Sequence, residues 1–570
     1  MHQSFALKLP EATKTTWGHL YGSAGALAAA EAARANEGLT LVVTPTTADA
    51  YHIEQALRFF VGESLDIFSF PDWETLPYDL FSPHQDIVSE RLKTLYHLPQ
   101  LKRGILVLPV STLMQRLCPP SFLHSHAMII STGDELPITE FRSKLADAGY
   151  RSVSEVSEHG EYAVRGSLLD LFPMASDRPF RIDYFDDEVE NIYSFDPADQ
   201  IAREQDKLEK IELLPAREFP MDEAGITRFR KGFRQSFDAV RESPVYRDVS
   251  NGVVPSGIEY YMPLFLDEMV TIFDYLPDDV TVIQYKNCLA AMEEFTEQTE
   301  DRYEQRRHDI ERPVLPPREL FIDADTVTRE FKQRRTLDIS AAEVTPGRGK
   351  YNFDSKAPGK YPITVRLEQP LGMLKQFIEN YDGRILFAAE SAGRREVFME
   401  LLIGNNIPVA PVDSFNEFLV SDRRFCICTA PLDEGLHLPS SNIAIICESQ
   451  LTGNRVAQSR RSRRQTRDSD AVISNLADLT IGSPVVHIDH GVGRYLGLQS
   501  LDIGGANTEF LTLNYANDDK LYVPVSSLHL ISRYTGASEE SAPLHRLGGC
   551  LLYTSPSPRD QRGSRMPSSA

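Results

Sequence analysis

Residues 22–43, GSAGALAAAEAARANEGLTLVV, join a turn of small residues, an alanine-rich stretch and an apolar run. Alanine is the strongest helix former, so Gly25–Ala33 is predicted to be a helix, whereas Leu39–Val43 has the composition of a buried strand. A second apolar run, Ile105–Val110, is followed by another helical pattern, Ser111–Leu117. Strands that alternate with helices predict a parallel α/β sheet.

The first domain is interrupted by a segment with a different period. From about residue 150 to 200, within the segment 126–212, strand-like alternation takes over, and Asp186-Asp187 marks a turn. Two sets of side chains alternate along one strand: Phe180, Ile182 and Tyr184 with Arg181, Asp183 and Phe185. The pattern predicts a small β-rich domain inserted between residues 1–125 and residues 213–345, which together form the first α/β domain.

Further segments follow the first domain. Residues 363–452 are predicted to form a second α/β domain. Residues 453–475 are polar and basic, which predicts a solvated linker; a nucleic-acid contact is the alternative and would use Arg460, Arg461, Arg463 and Arg464. Residues 476–549 contain short strands with glycine turns, which predict a small, strongly bent β-barrel of the SH3/Tudor kind. Residues 550–570, rich in Ser, Pro and Arg, are predicted to be a non-native tail.

Composition excludes several classes of function. The 570 residues suggest roughly four domains, and Met1–Pro10 lacks the pattern of a signal peptide. No apolar run approaches the ~18 residues of a membrane span, so a cytoplasmic protein without a membrane partner is expected. With 59 basic and 82 acidic residues the net charge is −23, which disfavours strong binding of DNA by the chain as a whole.

No nucleotide chemistry is predicted. ATP hydrolysis needs a GxxxxGK[ST] loop, in which Lys reaches the phosphates and Ser or Thr holds magnesium. The corresponding loop here has neither and consists of Gly22, Ser23, Ala24, Gly25 and Ala26. Asp433-Glu434-Gly-Leu-His437 resembles a DExH box only loosely, because its His comes one position late. We therefore predict no catalytic residues and no cofactor for this chain.

Two short pairs of potential metal ligands have simpler explanations. Cys426 and Cys428 alternate within an apolar strand, and no second Cys/His pair lies at zinc spacing. His487 and His490 precede a glycine-rich turn and lack a third ligand. Both pairs are predicted to be structural.

One strand carries a candidate binding surface. If Phe180, Ile182 and Tyr184 face the core, Arg181 and Phe185 share the opposite face, and an exposed aromatic beside an arginine is the composition of a binding hot spot. Arg165, on a neighbouring run, could extend this face. Alternatively, Phe185 tucks under a loop and the arginines pair with Asp183, Asp186 or Asp187. The sequence pattern alone leaves both alternatives open.

Three stretches resemble a known family. These are DWETLPYDLFSPHQDIVSERL (Asp72–Leu92), EHGEYAVRGSLLDLFPMASDRPFRIDYFDDEVE (Glu158–Glu190), and VVHIDHGVGRYLG (Val485–Gly497) with YANDDKLYVPVSSLHLISRY (Tyr515–Tyr534). They are similar to the bacterial transcription-repair coupling factors: to the UvrB-like opening domain with its degenerate, helicase-like sheet, to the inserted domain that binds UvrA, and to the CarD-like module that binds RNA polymerase.

The resemblance implies roles for individual residues. Arg165, Arg181 and Phe185 would face UvrA. Leu498 and Leu501, in one hairpin of the CarD-like module, would contact the β subunit of RNA polymerase. Family members continue into an ATP- and magnesium-dependent translocase that binds most of the duplex DNA, and this motor is missing from the sequence. A recruitment scaffold for transcription-coupled excision repair is therefore expected, with a stand-alone CarD-like transcription regulator as the alternative.

Overall fold

A computed structural model describes residues 14–197, 200–238, 243–363, 370–452, 482–487, 491–503, 506–516, 519–524 and 531–533. The chain forms two compact units, Met1–Gln458 and Ser459–Ala570. None of the helices in the described ranges is long and apolar enough to cross a membrane.

The first part of the first α/β domain alternates strands and helices, as predicted. Its elements are β1 (Lys14–Gly18), α1 (Ala24–Ala35), β2 (Leu39–Thr44), α2 (Thr47–Val61), β3 (Ile67–Ser69), α3 (Gln85–His97), β4 (Gly104–Pro109), α4 (Val110–Leu113) and α5 (Pro120–His126). Helix α2 is capped at its N-terminus by Thr46, whose side chain accepts a hydrogen bond from the Asp49 amide, and at its C-terminus by Gly62. Such N-caps satisfy amide groups that the helix itself cannot pair.

The inserted β-rich segment contains two sheets. Its elements are β5 (Met128–Ser131), α6 (Ile138–Asp147), β6 (Arg151–Ser152), β7 (Glu161–Arg165), β8 (Leu168–Phe172), β9 (Phe180–Phe185), β10 (Glu188–Phe195), β11 (Ala202–Leu208) and β12 (Lys210–Leu213). A six-stranded sheet has the order β11-β10-β9-β8-β7-β6, and β5 pairs with β12 where the chain enters and leaves the insertion. The inserted domain thus returns the chain to its starting point.

The second part completes the first domain. It contains α7 (Glu223–Ser236), α8 (Pro244–Ser250), β13 (Thr281–Tyr285), α9 (Cys288–Arg306), α10 (Pro317–Leu320), α11 (Ala324–Lys332), β14 (Arg335–Ile339) and β15 (Lys350–Asn352). Strands from both parts form one parallel sheet in the order β15-β1-β14-β13-β2-β4-β3. The predicted parallel sheet is therefore confirmed.

A second α/β domain follows within the same unit. It consists of α12 (Gly372–Glu379), β16 (Arg384–Ala389), α13 (Ala392–Gly404), β17 (Ala410–Pro411), α14 (Phe415–Val420), β18 (Phe425–Thr429), β19 (Leu436–Leu438), β20 (Ile443–Cys447) and α15 (Ser449–Thr452). The sheet order is β17-β18-β16-β20-β19, and only β19 runs antiparallel to its neighbour. One hydrophobic core contains the buried alanines of α1 together with buried residues from the sheets of both α/β domains.

The second unit contains one antiparallel sheet. Its strands are β21 (Pro484–His487), β22 (Gly491–Ile503), β23 (Ala506–Asn514), β24 (Lys520–Pro524) and β25 (Ile531–Arg533). They pair in the order β24-β23-β22-β21-β25, and the register shifts at Gly497, whose φ of +118° suits glycine. The strand-rich nature of this segment is confirmed, whereas closure into a barrel stays a prediction.

Candidate protein-binding surface

The alternation predicted for β9 is confirmed. Ile182 and Tyr184 are buried in the main core and Phe180 packs against it, whereas Phe185 is 72% exposed. The alternative in which Phe185 tucks under a loop is therefore wrong. Its ring lies at the end of β9, beside the turn that Asp186 makes with a φ of +57°.

Neighbouring strands extend this outward face. Arg165 of β7 lies opposite Leu168 of β8, which in turn lies opposite Asp183 of β9. Directly paired residues share one face of a sheet, so Arg165 lies on the same face as Phe185, about 10 Å away in the strand-to-strand direction. The Arg165 side chain is exposed and donates a hydrogen bond of 2.9 Å to the carbonyl oxygen of Ser154.

Arg181 lies on the same face but is largely covered. Its Nε and Nη2 atoms donate to the two carboxylate oxygens of Asp170 at 2.6 and 2.8 Å, and its guanidinium lies 5.2 Å from the Phe195 ring centre. Only 18% of the Arg181 side chain is exposed. Arg181 thus pairs with Asp170 on the neighbouring strand, and the predicted alternative partners Asp183, Asp186 and Asp187 are wrong.

The electrostatics of this face follow from that pair. The bond to Asp170 raises the pKa of Arg181, which stays charged. Burial raises the pKa of Asp183, although the positive charge of Arg181 opposes this effect. Arg181 is therefore held in place by Asp170, whereas Arg165 and Phe185 are exposed. Asp170 was missed from the sequence, yet a carboxylate between Leu169 and Leu171 in an apolar strand signals a buried ion pair.

The degenerate loop predicted at residues 22–26 consists of a turn at Gly22 and Ser23 and the first residues of α1. Gly22 has a φ of +54°, and Ala24, Gly25 and Ala26 are buried. The Ser23 amide donates to the carbonyl oxygen of Gly435 at 3.0 Å, and the Ser23 hydroxyl donates to the carbonyl oxygen of Glu434. The loop is therefore occupied by backbone of the second α/β domain.

For the remaining predicted site residues, the structure describes the backbone of two leucines and none of the four arginines. Leu498 and Leu501 lie in β22, paired with Leu511 and Thr508 of β23, and their side chains are outside the described set. The candidate nucleic-acid contacts also lie outside the described residues: Arg460, Arg461, Arg463 and Arg464.

The cysteine pair behaves as a structural feature. Cys426 and Cys428 are free, buried residues of β18. Across the described ranges no group of three or more His, Cys, Asp or Glu side chains could hold a metal ion. His490, the second member of the histidine pair, lies outside those ranges.

Three models of known protein domains match parts of this chain. Residues 128–219 match the UvrB interaction domain, residues 377–451 match the MFD D3 domain, and residues 479–535 match the CarD-like/TRCF RID domain. The first match covers the inserted sheets, the second covers most of the second α/β domain, and the third contains the antiparallel sheet.

Whole-chain relatives agree with the domain matches. The transcription-repair-coupling factor of Haemophilus influenzae is 47% identical over 534 residues, which cover 93% of this chain and 46% of that protein. The Escherichia coli protein of the same name is 43% identical with the same coverage, and that of Myxococcus xanthus is 27% identical over 86% of this chain and 43% of its own length. The chain thus spans less than half the length of these relatives. With the UvrB interaction, D3 and CarD-like domains in this order, the chain belongs to the transcription-repair coupling factor family.

Proposed function

We propose that this chain is a recruitment scaffold in transcription-coupled nucleotide-excision repair. The inserted sheet binds UvrA, and the C-terminal antiparallel sheet binds the β subunit of RNA polymerase. The observation that carries the proposal is the exposed Phe185 ring beside the exposed Arg165, on a face held rigid by the Arg181–Asp170 pair.

The physical argument concerns apolar area and rigidity. Burying a Phe side chain is worth roughly 1.5–3 kcal/mol, and free Phe185 forgoes most of that. A partner that covers the ring recovers this energy. Because Arg181 is already fixed on Asp170, little side-chain freedom is lost when the partner binds.

The UvrA contact is tested by a single truncation. Phe185→Ala removes the exposed ring and leaves the ion pair intact, so UvrA binding is expected to weaken by about 30-fold, the equivalent of ~2 kcal/mol. Ile129→Ala is the matched control, because Ile129 is 64% exposed on the other sheet of the insertion. Titration of labelled UvrA measures both variants. Equal affinity of Phe185→Ala and the unmodified chain would reject this surface.

The polymerase contact is tested by a charge. Leu501→Arg places a guanidinium in the proposed apolar contact on β22 and is expected to abolish capture of the isolated β subunit, since an unpaired buried charge is costly. Tyr522→Arg adds the same charge on β24 and serves as the control. Capture that survives Leu501→Arg but not Tyr522→Arg would move the contact from the central strand β22 to the edge strand β24.

The proposed role as a scaffold requires no ATP hydrolysis by either α/β domain. Rates of ATP hydrolysis by this chain, measured with and without duplex DNA, are expected to equal the buffer background. Turnover that a point mutation in residues 14–452 abolishes would contradict the scaffold and favour an enzyme.

A further inference from the structure

We infer that the second α/β domain acts as a built-in ligand of the first. Its Glu434–Gly435 backbone occupies the start of α1, where a nucleotide phosphate would otherwise bind, and thereby fixes the first domain in one nucleotide-independent arrangement. This gives residues 363–452 a role that goes beyond partner recruitment.

Two hydrogen bonds join the start of α1 to the second α/β domain. The first amides of a helix point outward without partners and attract anions. At α1, the Ser23 amide instead donates to the carbonyl oxygen of Gly435 at 3.0 Å, and the Ser23 hydroxyl donates to the carbonyl oxygen of Glu434. A carbonyl oxygen carries partial negative charge, so the Gly435 carbonyl oxygen satisfies the Ser23 amide as a phosphate oxygen would.

The second α/β domain and the segment before it pack tightly against Gly22. A methyl group added at Gly22 would overlap the Gly435 carbonyl oxygen and would come within 2.7 Å of Pro358 Cγ. Ser355, near Pro358, accepts a hydrogen bond from the Tyr21 amide at 3.2 Å and donates one to the carbonyl oxygen of His19. The segment that joins the two domains thus also contacts the residues just before α1.

Apolar packing holds the occupying loop in place. Leu436, directly after Gly435, is buried in the same core as Ala24 and Ala28 of α1. Farther along this core, the Phe415 ring centre lies 5.7 Å from that of Phe59 and 5.1 Å from that of Phe60. An anion could reach α1 only if this shared core opened, which costs far more than one hydrogen bond is worth.

The inserted domain is carried by the same first domain. At the start of α1 in that domain, Glu434 and Gly435 cover the position where a nucleotide phosphate would otherwise bind. The UvrA-facing surface is therefore presented in the same way whether or not ATP is present.

The test compares two glycine substitutions in the full chain. Gly22→Ala pushes a methyl group against Gly435, whereas Gly252→Ala introduces the same residue at a φ of +76° where nothing lies within 4 Å. By hydrogen exchange, the amides of Ser23–Leu27 and Gly435–Leu438 are expected to exchange about tenfold faster in Gly22→Ala and to stay near the unmodified rate in Gly252→Ala. Equal rates in both variants would overturn the inference.

A milder variant and a nucleotide titration complete the test. Ser23→Ala removes only the side-chain bond and is expected to accelerate the same amides by about threefold, whereas Ser125→Ala, which loses a bond to the Phe122 carbonyl oxygen, leaves them unchanged. Millimolar Mg·ATP is expected to have no effect on these amides in the unmodified chain. Protection of Ser23–Leu27 by Mg·ATP would also overturn the inference.

Discussion

Arg181 and Asp170 face each other across β9 and β8 and form two parallel hydrogen bonds, with the Asp170 side chain only 2% exposed. An arginine that the resemblance assigns to partner binding therefore also holds the inserted sheet together. Partner binding and stabilisation of the sheet can be tested separately by substitutions at this position.

Arg181→Ala is expected to destabilise the inserted sheet by about 3 kcal/mol, because it leaves the buried Asp170 carboxylate unpaired. Arg165→Ala, on the exposed part of the face, should cost under about 0.5 kcal/mol. Hydrogen exchange of the β8 and β9 amides measures both. If the two variants exchange alike, the ion pair does not stabilise the sheet, and Arg181 can be treated as a simple contact residue.

The fixed geometry of the pair leads to a second expectation. Arg181→Lys retains the charge but cannot form two parallel bonds with Asp170, so it should recover only part of the loss in UvrA affinity caused by Arg181→Ala. Titration with UvrA, under conditions where all three proteins are folded, measures this. Full recovery by Lys would show that charge alone matters at this position.

The face of β9 was predictable because alternation within a strand identifies its two sides. The partner of Arg181 was not, since it depends on the register between β8 and β9. A similar long-range effect shortens the helix predicted for Ser111–Leu117. Helix α4 ends at Leu113 because Gln115 and Leu117 form bridges with Phe321 and Val270.

The contact at the start of α1 was even less predictable, because it also joins residues that are far apart in the sequence. The missing Lys was visible in the sequence, but the occupant was not, because Ser23 and Glu434 are 411 residues apart. Asp433–His437 was noticed only as a poor match to a helicase motif. Its actual contribution is two backbone carbonyl groups, which no side-chain pattern reveals.

His437 should make the second α/β domain less stable in mild acid. Burial and the nearby Lys356 lower the pKa of His437, although Asp354 acts in the opposite direction, and its ring packs against Phe377 and Tyr381. Because the unfolded chain binds a proton first, stability should fall as the pH drops below about 6.5. His437→Gln should reduce this dependence in urea unfolding at several pH values. An unchanged dependence would exclude His437 as its source.

The thiols should be almost inert in the native chain. Five of the six cysteines are buried, and burial raises the pKa of Cys288 and of Cys428 to about 12. Since the thiolate is the reactive form, at most one thiol should react quickly with a disulfide reagent near pH ~8. Cys550→Ser should remove any fast phase, and denaturant should expose the others. Two or more fast thiols in the native chain would contradict the buried positions.

The buried Arg91–Glu218 pair should be the most sensitive point of the junction between the insertion and the first domain. Arg91 lies in α3, Glu218 follows β12, and their side chains are 0% and 5% exposed.

The guanidinium is also fixed by its surroundings. It donates to Glu218 at 2.6 and 3.2 Å and to the Pro71 carbonyl oxygen at 2.8 Å, and it lies 4.4 Å from the Phe70 ring centre. Glu218→Ala leaves this buried charge without its carboxylate partner and is expected to lower the free energy of unfolding by about 3–5 kcal/mol.

An exposed pair provides the contrast. Lys144 and Glu140 are 2.8 Å apart on the surface of α6, so Glu140→Ala should cost less than about 1 kcal/mol. Urea unfolding followed by tryptophan fluorescence measures both variants, because the two tryptophans, Trp17 and Trp73, are buried in the first domain. Trp73 also donates a hydrogen bond to Glu218 and reports on the junction itself. If the two variants unfold at the same urea concentration, the insertion is held by its apolar core, and the buried charges contribute no more than surface ones.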